Sequence, residues 1–311
     1  MVKSDMRAEL ERVYQTLFAW CRARNFAGHD PFDALNSRLF QATPLRHSRL
    51  ARLAWTQLGK RAPINLRPFL LVPHEQNAKG LALFALAALA RFRTTRTQED
   101  EQTARALLSD LLAHALDGYH GAAWGYNFDW QGRAFYAPRG TPTIVPTAFA
   151  ARALIAASDA FKDEAYLHVA RSTCDFIRRD LHRSVERTDE VCFSYTPLDE
   201  TRVFNASLLA AETLACVGAR TKETKLVELA LHATRYVVRA SRASCASLLT
   251  NARSLHRRSG ADTNFGARIF FCPTAGRSIS QTKTIRRTRT RSALALSRSS
   301  SCKLTMRARL R

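Results

Sequence analysis

Apolar residues recur along the first 240 positions at helical spacing. Ala104, Leu107, Leu108, Leu111, Leu112 and Ala115 follow an i, i+3, i+4, i+7 pattern, which gathers them into one stripe of a helix. Tyr166, Val169, Ala170, Thr173, Phe176, Ile177 and Leu181 form a second stripe, and Leu226, Leu229, Ala230, Ala233 and Val237 a third. Each of these segments has a charged opposite face. Between them lie stretches of another kind. Gly80–Ala90 carries no charge, Ile144–Ser158 only Arg152, and Asn205–Gly218 only Glu212. A helix that is apolar nearly all round is buried on most sides. The pattern therefore predicts nearly uncharged inner helices alternating with amphipathic outer ones.

The alternation repeats. Asn77, Thr147 and Asn205 each open an uncharged segment, as N-caps or first-turn residues. Ala170, Phe176 and Ile177 align with Ala230, Tyr236 and Val237 at an offset of 60, and Ala148 and Ala153 with Ala206 and Ala211 at an offset of 58. A repeating helical hairpin of this length implies stacked α/α units. Three hairpins start near 77, 143 and 201, and a fourth falls within 5–60. The expected fold is all-α: an incomplete α/α toroid, or an α-solenoid. A closed ring of six hairpins needs two more. No strand–helix alternation points to an α/β fold.

Charge then divides the chain. The net +22 is concentrated in 241–311, where 16 Lys/Arg face one acid, Asp262, leaving +7 for residues 1–240. The 241–311 segment also holds 12 Ser and 8 Thr and contains no Trp, Tyr or Glu. Low hydrophobicity and high charge predict a disordered basic tail. Its charge suits nucleic acid or an acidic surface, but Phe265, Phe270 and Phe271 are its only rings for base stacking. The periodic pattern stops mid-hairpin near 240, and the new composition is that of a GC-rich coding region read out of frame. On that reading, a shifted frame of the coding DNA past codon 240 restores Trp/Tyr-rich loops and helical periodicity; early stops in both other frames refute it.

The N-terminus has charges but no apolar run after them, so no secretory signal is expected. The longest uncharged runs, Gly80–Ala90 and Gly140–Ala151, are shorter than the roughly 20 residues of a membrane helix. The seven cysteines form no C-x-x-C pair, and neither His74 nor His120 has a second histidine at ligand spacing. A cytoplasmic protein without metal or cofactor is expected. No phosphate-cradling, dinucleotide or nucleophile-elbow motif occurs.

The unusual residues lie in loops before the inner helices. Trp124, Tyr126, Phe128 and Trp130 alternate, which in an extended segment puts four rings on one side. Flat rings beside carboxylate, amide and guanidinium groups suit sugars; the competing reading is that the rings plug the end of the helical barrel. Asp129 and Asp199 precede successive inner helices and are the candidate acid and base for glycoside cleavage, unless they cap helices or pair with Arg133 and Arg202. The candidate substrate-binding residues are Asp30, Asp33, Asn36, Arg67, Asn77, Trp124, Tyr126, Trp130, Arg133, Tyr195, Arg202 and Asn205. Arg67, Arg133, Arg139 and Arg202 would make this face suited to anionic sugars or phosphates.

The words Asp30-Pro-Phe-Asp-Ala-Leu-Asn-Ser37, Pro63-Ile-Asn-Leu-Arg67, Asn77-Ala-Lys-Gly80, Trp124-Gly-Tyr-Asn-Phe-Asp-Trp-Gln131 and Phe193-Ser-Tyr-Thr-Pro197 occur in one order over residues 10–240. In these the chain resembles the VpsJ-type polysaccharide biosynthesis family. The resemblance implies an α/α toroid akin to six-hairpin glycosidases and terpenoid cyclases, with a polysaccharide or sugar precursor as partner. It carries over no catalytic residue, and it ends after about Arg239. Three function classes follow: a carbohydrate-active enzyme of glycosidase or lyase type, a carbohydrate-binding protein, and a toroid for isoprenoid or lipid-linked substrates. The third lacks the acid-rich D-x-D-D motif. Oligomerisation is expected through the open edge of the ring.

Overall fold

The computed structural model describes residues 2–258, with side chains for residue 6 and 8–243. Nine α-helices are formed among them: α1 (Val2–Arg22), α2 (Arg38–Gln41), α3 (Arg49–Arg61), α4 (Ala78–Thr95), α5 (Gln98–Ala113), α6 (Ile144–Phe161), α7 (Glu164–Arg179), α8 (Phe204–Thr221) and α9 (Thr224–Arg258). Two short antiparallel ribbons interrupt them, β1 (Trp130–Gln131) with β2 (Tyr136–Ala137) and β3 (Arg183–Glu186) with β4 (Val191–Phe193).

The uncharged helices are the inner layer. α6 packs between α4 and α8, while α5 covers α4 and α7 covers α6 and α8. The stripes account for this. Ala104, Leu107, Leu108 and Leu111 of α5 are buried, as are Ala170, Phe176 and Ile177 of α7 and Leu226, Ala230 and Ala233 of α9. The result is an arc of an α/α toroid, with α4–α5, α6–α7 and α8–α9 as its hairpins. By length and composition α6 matches a membrane span. Its charges, Arg152 and Asp159, are few, and its packing between α4, α7 and α8 accounts for its apolarity.

The three turns repeat in geometry as well as in sequence. Each inner helix ends on a non-glycine residue in the left-handed region: Arg96 (φ 56°), Lys162 (φ 57°) and Lys222 (φ 60°). The next helix is then capped by a side chain: Thr97 accepts from Asp100 N–H, and Asp163 from Ala165 N–H. A side chain at positive φ costs about 1–2 kcal/mol per residue. Lys162→Gly is therefore expected to raise stability by about 0.5–1 kcal/mol, after allowance for the glycine's greater freedom in the unfolded chain. A thermal melt checks it, and a lower midpoint contradicts it.

The N-terminal part departs from the expected fourth hairpin. α1 and α3 are separated by a long loop, and α3 packs on the 3-10 turns Asp33–Asn36 and Pro44–His47 and on β1. No uncharged inner helix exists in this stretch to form the repeat. α1 instead docks through Phe18, whose ring meets Phe26 at 5.4 Å and Phe84 of α4 at 6.1 Å. Its other side leaves Met6, Leu10, Val13, Leu17 and Trp20 exposed.

α9 continues to Arg258, past the change in composition at 240. No glycine or proline lies between Ala219 and Ser259 to end it, and Leu248, Leu249, Ala252 and Leu255 keep helical spacing. A compact unit spans Met1–Ala243. The remainder of the expected disordered tail, 259–311, lies outside the described residues.

Candidate functional site

Each outer helix returns the chain to the end where the next inner helix begins. The loops 114–143 and 180–203 therefore meet the N-terminal ends of α6 and α8, and the loops 23–37 and 62–77 meet that of α4. Hydrogen bonds tie these loops to the helix starts. Asn77 caps α4 by accepting from Lys79 and Gly80 N–H (3.0 and 3.3 Å). Ile144 N–H, the first of α6, donates to the Tyr195 carbonyl at 3.0 Å. Thr147 is not a cap. Its hydroxyl accepts from Trp124 N–H at 3.0 Å and donates to the Trp124 carbonyl at 3.2 Å.

Asn127 joins three loops, and nothing in the sequence pattern marks it. Its carbonyl accepts from Asn36 Nδ2 (2.7 Å) and its Oδ1 from Asn77 Nδ2 (3.1 Å), while its Nδ2 donates to Glu75 Oε2 (3.3 Å). Arg139 closes the web on Glu75 Oε1 at 2.9 Å. Asp33 is buried and anchors the first loop. It accepts from Arg67 Nε (2.7 Å) and from Asp30 N–H (2.9 Å). Asn36, Asn77, Asp33 and Arg67 thus position loops.

The aromatic run turns inward, as the plug reading has it. Trp124 is fully buried and donates its indole N–H to the Leu111 carbonyl at 2.7 Å. It is no stacking platform. Tyr126 stacks on Phe128 at 5.0 Å, and its hydroxyl lies 3.4 Å from that of Tyr195. Burial, with the Tyr195 hydroxyl beside it, pushes the Tyr126 phenol well above its usual range. Trp130 packs against Tyr195 (5.1 Å) and Phe135 (5.2 Å).

Asp129 and Asp199 are both enclosed by donors. Asp199 Oδ2 accepts from Thr196 N–H (2.7 Å) and Oγ1 (2.8 Å), and its Oδ1 from Thr201 N–H (2.8 Å) and the Thr201 hydroxyl. Asp129 Oδ1 accepts from Arg139 N–H (2.7 Å), and its Oδ2 from Gln41 Nε2 (3.1 Å). Burial, with the Asp129 carboxylate nearby as a further cause, pushes the Tyr136 hydroxyl up to about 12. Asp199, buried with four donors, holds a turn, while the half-buried Asp129 ties the Gln41 side chain to the Arg139 backbone. The Arg202 charge acts on Tyr236 of α9, and Arg133 is exposed.

The open concavity lies on the inner faces of the inner helices. Lys79 of α4, Val145 and Phe149 of α6, and Asn205, Leu208, Leu209 and Glu212 of α8 line a hollow of about 380 Å³. Phe149 is its ring. Lys79 Nζ lies 5.1 Å from the ring centroid and the Arg152 guanidinium 4.9 Å. Arg152 in turn pairs with Glu212 across the wall. Asn205 is the one residue of the sequence-derived set in this lining. Asp30 stands near enough for Lys79 and Tyr126 to share its field. Burial raises its carboxyl above the usual range, opposed by Phe32 N–H, which donates to Oδ1 at 2.9 Å.

A second hollow of about 360 Å³ opens between His29, Asp30, Lys60, Asn65 and Arg67. Here the His29 ring sits 3.9 Å from that of His74, with Nδ1 3.3 Å from Asp33 Oδ2 and neither ring nitrogen aligned for a hydrogen bond. Burial, followed by the charge of His74, holds the His29 pKa below its ordinary 6.5, against the pull of Asp33. The unfolded chain then takes up this proton at higher pH than the folded one, so acid favours unfolding. Stability is expected to fall as the pH drops below about 6.5, and His29→Gln to flatten that limb. Urea midpoints at about pH 7.5 and 5.5 test it; equal slopes in parent and variant contradict it.

No protein-family model matches this chain, and no curated protein matches it. Among solved structures it is similar to a glycoside hydrolase family 76 mannosidase from Bacteroides thetaiotaomicron VPI-5482, with 11% identity over 67% of this chain and 57% of that one (TM-score 0.40). It is similar to an inactive variant of an alpha-1,6-mannanase of Salegentibacter sp. HEL1_6 in complex with alpha-1,6-mannotriose, with 12% identity over 61% and 52% (TM-score 0.39). A D-mannose isomerase shows 16% identity over 67% and 58% (TM-score 0.39). The chain spans between half and three fifths of the length of each.

Proposed function

We propose that this chain is a carbohydrate-active protein of polysaccharide biosynthesis, holding a sugar in the hollow between α4, α6 and α8. The observation that carries this is the Phe149 ring on the hollow's wall, with Lys79, Asn205 and Glu212 around it. An apolar face rimmed by a few polar groups is what a pyranose ring meets in its sites, and the hollow's volume falls within the ~300–1,000 Å³ of small-ligand pockets. A cytoplasmic setting goes with the proposal, since Cys21, Cys174 and Cys192 are buried thiols without disulfides. A glycan array screened with the full chain tests the reading. Phe149→Ala is expected to weaken the best glycan about tenfold, or about 1.4 kcal/mol. Parental affinity in that variant, or an array without binders, sinks it.

One observation favours catalysis over binding alone. Asp30, on the wall of the second hollow and not of the Phe149 hollow, is a half-buried carboxyl whose affinity for its proton is raised by burial, so the catalytic reading requires a glycan that reaches from one hollow to the other. Asp30 takes the place that sequence spacing gives to Asp129 and Asp199. Asp30→Asn is expected to abolish cleavage of the array-selected glycan while fold and binding persist. Cleavage by the variant, or none by the parent, removes the catalytic reading and leaves a binding protein.

A further inference from the structure

The net +7 of residues 1–240 has one source. From Ala34 to His74 the chain holds Arg38, Arg46, Arg49, Arg52, Lys60, Arg61 and Arg67, and no Asp or Glu. The rest of the body is balanced. Arg67 alone among these forms an ion pair, with Asp33, among the described residues. Three others are held by neutral acceptors, Arg49 and Arg52 by ones on the β1–β2 ribbon and Arg46 by ones on its own loop. Arg49 Nη2 donates to the Arg133 carbonyl (2.6 Å). Arg52 donates to Gln131 Oε1 and to the Arg46 carbonyl (both 2.8 Å). Arg46 donates to the Gln41 carbonyl (3.2 Å) and to His47 Nε2 (3.0 Å). Arg133, on the turn of the ribbon, is exposed with no carboxylate partner among the described residues. The Asp129 carboxylate accepts from Gln41 and from Arg139 N–H and forms no ion pair with these arginines among the described residues.

The Arg49 and Arg52 guanidinium groups are thus tied to the ribbon, with Arg133 on its turn and the Arg46 carbonyl bonded by Arg52, and none of the four has a counter-charge of its own among the described residues. Carbonyl and amide acceptors fix their positions but leave their charge uncompensated, a repulsion that a bound anion relieves. The planar fork of arginine matches a carboxylate with two parallel hydrogen bonds.

The register of the ribbon gives its two faces different surroundings. Gln131 lies opposite Tyr136 and Trp130 opposite Ala137. Paired residues share a face, so Gln131 and Tyr136 face Arg52, whose guanidinium is 4.2 Å from the Tyr136 ring, while Trp130 faces Tyr195. One face of the ribbon is cationic, and the other closes the aromatic cluster.

We infer that Arg46, Arg49, Arg52 and Arg133 form a binding surface for a carboxylate-bearing glycan, so that the polysaccharide handled is acidic. This rests on the carbohydrate reading above. Nucleic acid fits less well, because Arg52 already covers one face of the Tyr136 ring.

The probe is a galacturonate oligomer titrated into the full chain at several salt concentrations, with a single-stranded DNA of equal charge in parallel. The basic tail is common to every variant, so its background cancels. A triple variant, Arg46→Ala with Arg49→Ala and Arg133→Ala, is expected to bind the galacturonate oligomer about tenfold more weakly and with a shallower salt dependence, from the loss of three exposed charges. The corresponding triple lysine variant is expected to keep the salt dependence and most of the affinity, which separates charge from misfolding. Unchanged affinity in the alanine variant, no binding of galacturonate by the parent, or an equal or larger loss for DNA overturns the inference. Phe149→Ala, run alongside, reports on the hollow. If it leaves binding intact while the triple alanine variant loses it, the hollow reading fails and the arginine surface stands.

Discussion

Trp124→Ala is expected to destabilise the protein by about 3–5 kcal/mol, a large share of the 5–15 kcal/mol that holds a typical domain together. The side chain is fully buried among the inner and outer helices. Removing it leaves a cavity lined by residues of several helices, which cannot all move inward together. It also takes from the Leu111 carbonyl at the end of α5 the indole N–H donated at 2.7 Å, leaving that carbonyl only the His114 N–H at 3.2 Å. The backbone of Trp124 is fixed as well: its carbonyl accepts from Thr143 N–H at 3.0 Å, and its own N–H meets the Thr147 hydroxyl. The damage should therefore spread to the start of α6. Trp124→Phe keeps most of the apolar volume and is expected to lose less. Denaturant midpoints with slopes for all three proteins decide it. If Trp124→Ala melts with the parent and loses only sugar binding, the ring faces a ligand after all.

That expectation reverses what residue types alone suggest, and the reason is physical. Alternation at 124, 126, 128 and 130 establishes that rings share a side of an extended segment. It does not establish which side faces solvent. A toroid closes the ends of its barrel with loops, and a loop core needs large apolar groups as much as a sugar site does. The three hairpins, by contrast, are legible because a period of 3.6 and the absence of charge are properties of whole helices. Residues 5–60 have no uncharged helix, and there the repeat reading had nothing to rest on.

The hollow was half legible. Arg152 and Glu212 are each the single charge within an otherwise uncharged inner segment, and the structure pairs them beside Phe149. A lone charge on a buried helix of one hairpin, matched by an opposite charge on the next, is a signal of adjacency available without coordinates. Phe149 itself is not legible, since an aromatic residue within an apolar helix reads as core. Lys79 follows the Asn77 cap and reads as part of a helix start. Only the packing of α4, α6 and α8 shows that this stretch of the inner face stays open. Asp30 likewise differs from its neighbour Asp33 through burial and partners, which spacing does not reveal.

Asp199→Asn is expected to cost about 2–4 kcal/mol, and Asp199→Ala more, because four donors lose a charged acceptor in a buried turn. Thr196 and Thr201 flank Asp199 at positions from which an aspartate bonds its own backbone, a spacing that marks a turn in the sequence itself. An asparagine can satisfy one side of this arrangement, but its amide then points N–H groups at the donors of the other side. The turn also positions Tyr195, whose carbonyl receives the first N–H of α6, so its loss exposes the start of an inner helix. A catalytic Asp199 predicts the opposite pair of results: a folded Asp199→Asn variant with parental melting and no turnover. Melting curves and binding titrations of Asp199→Asn beside Asp30→Asn separate the two. The hydrogen bonds of Asp199 lead to loss of fold in the first, the proposed catalytic role of Asp30 to loss of chemistry in the second, and a stable, inactive Asp199→Asn would falsify that assignment.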